Sequence, residues 1–234
     1  MCQSSASQGP ATATANQLDP AVLQLVPDHP AAKSALDVAL QSLPPAILNH
    51  SFRTYIYAKA HSSLLRQLDP AAVLIEPVFV ELHTLFVACL FHDLATAEKY
   101  DADPARFEVV GASEAAKVLR ESHVSEASIR EAWLAMSLHS TSGIAEEMSG
   151  TTGALRRAIA TEFRGVPSPE SILDGKELEV IGKLPRLDIE KVLGDAVVRQ
   201  ALENRVKAPA ATWPGQLLIS HDNNPGWDGV NKAF

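Results

Sequence analysis

The chain has 234 residues, of which 20 are basic and 28 acidic, so its formal charge is −8 with histidine neutral. That length suits one domain with appendages at most, and it can bury an apolar core without disulfides or metals holding it together. The acidic balance, with no clustered Lys/Arg stripe, argues against nucleic acid as a partner. Two cysteines, Cys2 and Cys89, exclude a disulfide framework or a Cys-rich zinc site and suit a reducing compartment.

Residues 1–18 are rich in Ser, Ala, Thr, Gln and Gly, which reads as a flexible tail and not as a secretory signal. The longest apolar run, residues 85–91, is too short to span a bilayer. The expectation is a cytoplasmic chain without membrane contact, with residues 19–234 forming the working domain. The Asn49-His50-Ser51 sequon has meaning only in a secreted chain.

In chain order, residues 30–43 predict a helix closed by Pro44-Pro45, and a second helix starts near Ala46 and runs past His61 with Phe52, Ile56 and Leu64 on one face. Residues 78–94 are the clearest helix, apolar at Val78, Leu82, Leu85, Phe86, Cys89 and Leu90 over much of its circumference, as a buried central helix requires. Further helices are predicted at 113–122 with Ser113 as cap, at 125–139 with Ser125 as cap, at 153–163, and at 188–206. Leu217-Leu218-Ile219 reads as an interface or a core strand, and an interface would make the chain a homo-oligomer. The fold class expected is all-α.

There is no Gly-rich phosphate loop, HExxH, GxSxG or CxxC. Eight histidines remain. His29 and His221 lie in polar contexts that predict exposure, and His61, His83 and His123 have no acidic neighbour at a telling spacing. His92-Asp93 differs, because it closes the most apolar helix, where an uncompensated imidazole and carboxylate are expensive to bury. A metal ion resolves that cost, and so does a buried Asp capping a neighbouring helix with the histidine as its partner. Adjacent helical residues point about 100° apart, so joint ligation needs a loosened helix end, for which Ala95-Thr96-Ala97 is the candidate.

Histidines and one His-Asp pair spread over successive helices resemble the HD superfamily of metal-dependent enzymes. The detail is similar to its cyanamide hydratase-like branch, recognised by Asn-His-Ser-x-Arg, here Asn49, His50, Ser51 and Arg53. The pattern continues with Cys89, Leu90, His92, Asp93, Leu94, Ala95 and Thr96, then Lys99, Phe107-Glu108-Val109-Val110-Gly111 and Ser137-Leu138-His139. The resemblance covers roughly residues 45–165. It implies an HD-type helical fold and Zn²⁺, or another divalent transition metal, held by His50, His92 and Asp93. The activity implied is addition of water to a small nitrile such as cyanamide, giving urea. His139 is implied as proton carrier or further ligand, and Thr96, Lys99 and Glu108 as supporting residues that hold ligands or polarise substrate.

The chain also departs from that pattern. Ala160-Thr161-Glu162-Phe163-Arg164-Gly165 places Arg164 where the branch has an acid, Ser140-Thr141 replaces Gln-Asp, and Trp213-Pro214-Gly215-Gln216 lacks the branch's C-terminal histidine. Glu162 shares a helical face with Leu155 and Ile159 and either points inward to supply the missing carboxylate or pairs at the surface with Arg157 or Arg164. Arg164 falls towards solvent or the pocket rim. The alternatives to a hydratase are an HD-type phosphohydrolase of a nucleotide or other phosphate ester, and a non-catalytic metabolite-binding protein.

Overall fold

A computed structural model describes residues 18–68 and 80–234, with the backbone alone at 64–68. Of the expected tail at 1–18, residues 1–17 lie outside the described residues, as do the predicted helical residues Val78 and Phe79, while Leu18 packs against the core. Among the described residues eleven α-helices follow in order: α1 (Pro20–Leu23), α2 (Pro30–Ser42), α3 (Pro45–Leu68), α4 (Leu82–Phe91), α5 (Phe107–Glu121), α6 (Glu126–Leu138), α7 (Gly150–Arg164), α8 (Pro169–Ile172), α9 (Gly175–Gly182), α10 (Ile189–Glu203) and α11 (Trp213–Asn223). The protein is all-α, and among the described residues there is no strand. No helix among them is long and apolar enough to cross a membrane.

Helix α4 sits at the centre and touches α2, α3, α5, α6 and α7. Every residue from Thr84 to Phe91 is buried, so the helix needs no polar face. Burial of each Leu or Phe there contributes about 1.5–3 kcal/mol. It begins at Leu82, later than the sequence pattern suggests, because Val80 and Glu81 are extended or loop residues before it. Helix α5 starts at Phe107 and not near Ser113, whose hydroxyl bonds back to the Val109 carbonyl inside the helix. Ser125 does cap α6, accepting from the Ser128 N–H. The 188–206 prediction resolves into α10 and a separate 3₁₀ turn at Arg205–Lys207.

Leu217-Leu218-Ile219 belongs to α11, where Leu217 and Leu218 are buried and Ile219 is exposed. A capping box formed by Asp174 and Glu177 opens α9, and its Asp-x-x-Glu spacing is legible in the sequence.

Gly111 is where α5 crosses the end of α4. A Cβ at that position would lie 2.7 Å from the Phe91 carbonyl oxygen, so only glycine allows this approach. Gly165 ends α7 in the left-handed region at φ 62°, as glycine permits without strain.

Candidate metal centre

Three helices deliver the candidate ligands. His50 lies one turn into α3, His92 is the residue that terminates α4, and His139 terminates α6. The helical path breaks at Asp93 (φ −109°, ψ 7°) and continues as a 3₁₀ turn at Leu94–Thr96. The loosened end that joint ligation requires is therefore at Asp93 itself, two residues before the expected Ala95-Thr96-Ala97 begins. Thr96 fixes it by donating from Oγ1 to the Asp93 carbonyl at 2.7 Å.

His50, His92 and Asp93 are all buried, and one ligand atom from each lies within 4.8 Å of the others. His50 Nε2 is 3.0 Å from His92 Nε2 and 3.4 Å from Asp93 Oδ2, and His92 Nε2 is 3.0 Å from the same oxygen. His139 Nε2 stands on the other side of the carboxylate, 3.5 Å from Oδ1. The far ring nitrogens have partners of their own. His92 Nδ1 donates to the Cys89 carbonyl at 2.7 Å, His139 Nδ1 to the Met136 carbonyl, and His50 Nδ1 faces Glu162 Oε1 at 3.5 Å.

With each Nδ1 carrying its proton towards an acceptor, each neutral ring presents an Nε2 lone pair to the centre. Asp93 Oδ2 is buried without a hydrogen bond, since the imidazoles near it lack hydrogen-bond geometry. Lone pairs facing one another at 3 Å repel unless a cation lies among them. The C-terminal ends of α4 and α6 both meet there, and their negative dipole ends favour positive charge. The donor set of two imidazoles and a carboxylate is one that suits zinc and related ions. The residues present therefore fit a metal ion.

The electrostatics follow the packing. Burial alone would raise the Asp93 carboxyl, but the facing imidazoles of His92, His139 and His50 outweigh it and hold it well below the usual carboxylate range. Burial pushes His50 down, yet the carboxylates of Asp93 and Glu162, which face its two ring nitrogens, raise it overall. Burial likewise opposes ionisation of Glu162, and His50 and Arg53 bring it to about 2. Glu162 points inward, as one of its two readings required. It does not enter the ligand cluster but binds behind it, held by Arg53, Arg186 and His50.

Of the other predicted residues, Glu108 is buried and accepts from Ser140 Oγ at 2.8 Å while pairing with Arg106, so it holds the loop that follows His139. Lys99 is not brought to the cluster. It lies in a second 3₁₀ turn, exposed, and donates to Ser42 Oγ at 2.7 Å.

The remaining histidines are structural or peripheral. His61 is buried and bonds Thr161 Oγ1 at 2.9 Å. His29, expected to be exposed, is half-buried and stacks on His83, which in turn approaches Glu81 at 3.4 Å. His221 is exposed as expected.

The cluster forms part of the wall of a cavity of about 900 Å³. Its other walls include Arg106, Arg156 and Arg164, the hydroxyl residues 140–142, and aromatic Phe163, Trp213 and Phe234. Phe234 packs against both Phe163 and Trp213, at 5.0 and 5.7 Å between ring centres. Arg156 and Arg164 stand eight residues apart on α7, whereas Arg106 comes from the turn before α5 and meets them only in the fold.

No known family model matches the chain, and no curated protein matches it significantly.

Proposed function

We propose that this chain is a metal-dependent hydratase, similar to the cyanamide hydratase-like branch of the HD superfamily, that adds water to a small nitrile to give the amide. With cyanamide the product is urea. The observation that carries this reading is the convergence of three Nε2 atoms on the Asp93 carboxylate at an open cavity. His50, His92 and Asp93 Oδ2 would hold the ion, with zinc favoured by the donor types. When bound, such an ion supplies Lewis acidity and water of lowered pKa.

The chain's own residues do the rest. The Cys89 carbonyl orients His92, Glu162 orients His50, and Thr96 fixes the Asp93 backbone, so the three donors are set before any substrate arrives. His139 faces the opposite carboxylate oxygen and is placed to carry a proton on Nε2 to the nitrile nitrogen as charge builds there. Its Nδ1 bond to Met136 keeps Nε2 directed at the cavity. The net reaction takes one water and one C≡N bond to one amide, with both water protons ending on nitrogen.

Elemental analysis of purified protein together with a urea-release assay on cyanamide tests this. Metal present with urea formed supports it, and metal present with no nitrile turnover counts against it. A phosphohydrolase is the second reading, and the three arginines on the cavity wall favour it. Phosphate release from nucleotides by metal-loaded protein that ignores nitriles would select it.

A further inference from the structure

Helix α7 turns one face to the cavity, and Arg156, Ile159, Ala160, Phe163 and Arg164 line it at the i, i+3, i+4, i+7, i+8 spacing of a single helical stripe. Ala160, the small residue between the two arginines, leaves room at the wall. The charged wall residues are not equivalent. Arg106 is engaged by Glu108, and Glu190 is engaged by Arg186. Arg164 is exposed and has no hydrogen-bond or ion-pair partner among the described residues. Arg156 is buried and held in place by the His139 carbonyl at 3.3 Å and Ser142 Oγ at 2.6 Å. Its Nε makes no hydrogen bond, although Glu146 Oε1 lies 3.5 Å away.

We propose that Arg156 and Arg164 form an anion subsite in this cavity, so that the ligand is a nitrile whose other end carries an anionic group. This rests on the hydratase reading for the nitrile end only. The cavity has two distinct walls: the His50-His92-Asp93 cluster on one side and the α7 wall with its two guanidinium groups on the other. A ligand anion held by the guanidiniums leaves the electrophilic end of the same ligand free to reach the cluster. The two guanidiniums carry like charge on one stripe, and burial first, with Arg164 adding to it against the pull of Glu146, lowers the Arg156 pKa. An anion between them offsets that like charge and forms charge-assisted hydrogen bonds.

The test uses the metal-loaded full chain and a matched pair of probes, cyanoacetate and its neutral counterpart cyanoacetamide, titrated calorimetrically at low salt. Cyanoacetate is expected to bind about tenfold more tightly or better, the gain of a hydrogen bond to a charged group. Arg164→Gln is expected to erase that advantage while leaving metal content and circular dichroism unchanged, because the side chain is exposed and unpartnered.

Equal affinity for the two probes, or an advantage that survives Arg164→Gln, overturns the subsite. Inorganic phosphate is the second arm. Phosphate that binds through Arg164, with neither cyanoacetate nor cyanamide hydrated, supports the subsite and removes the hydratase reading. Urea formed from cyanamide without any Arg164-dependent anion binding does the reverse.

Discussion

Arg53 reaches from α3 to Glu162 on α7 and places both Nε and Nη2 on the same carboxylate oxygen, at 2.9 and 2.6 Å. Both side chains are buried, Arg186 adds a third donor at 3.0 Å, and Arg53 Nη1 is spent on the Leu184 and Pro185 carbonyls. This fully occupied oxygen is also the one facing His50 Nδ1, so the ion pair that ties α3 to α7 also sets the ring that faces the cluster.

Glu162→Gln keeps the shape and removes the charge. Arg53 is then left buried without its counter-ion, for which the expected loss is about 3–5 kcal/mol of stability. Metal affinity should fall roughly 10–100-fold, as when any residue that orients a ligand is lost. Urea denaturation and a metal-chelator competition titration read the two effects separately, and an unchanged affinity would detach Glu162 from the metal centre.

Asp93→Ala removes the sole carboxylate of the cluster. Metal content should drop from about one ion per chain to a small fraction of that, since imidazoles alone leave the ion's charge uncompensated. Elemental analysis after dialysis checks this, and full retention would mean that the ion, if any, binds elsewhere.

His139→Asn separates two roles. As a proton carrier its loss should lower turnover by ~10²–10⁴-fold with most of the metal retained. If it is a further ligand, metal and turnover fall together. Both are measured on one preparation.

His61 supplies a pH effect on stability away from the metal centre. Burial, with Arg157 nearby, lowers it from 6.5 to about 4 in the folded protein. The unfolded chain therefore takes up a proton below pH 6.5 that the folded chain refuses until about pH 4, and stability is lost as pH falls through that window. The loss by pH 4.5 is roughly 2–3 kcal/mol. His61→Gln, which retains a donor for Thr161, should lack this component. Denaturation curves of both proteins at neutral and acidic pH give the difference.

Gly111→Ala puts a methyl against the Phe91 carbonyl, 2.7 Å away. Backbone on both sides must shift, costing about 1–3 kcal/mol. Because Phe91 directly precedes His92-Asp93, metal affinity should weaken with the melting temperature. A stable variant with unaltered metal binding would show that α4 has slack at its end.

The sequence was most legible where one residue decides the matter locally. Ser125 marks the start of α6, Pro30 opens α2 and Pro44-Pro45 divides it from α3, and His92-Asp93 in an all-apolar setting singles out the cluster. It was least legible where the outcome depends on a partner far along the chain. Ser113 looks like a cap, but α5 begins at Phe107, since the pairing of Phe107 and Val110 with the core extends the helix beyond it. Lys99 follows the matched motif, yet the second 3₁₀ turn directs it to Ser42, a register no spacing rule predicts. Glu162 could be placed on an inward face, whereas its three cationic and imidazole partners come from residues 24 to 112 positions away and needed the fold to be seen.

Helix α4 has only ten residues, below the ~12–15 at which an isolated helix holds together in water. It exists because five neighbours surround it, so His92 and Asp93 acquire their mutual geometry only after the core has closed. An ion held there would therefore be taken up last, into a scaffold that stands without it. Stripping the ion should leave the helical circular dichroism intact and lower the melting temperature only by the binding free energy, in contrast to small domains that collapse when their zinc is removed.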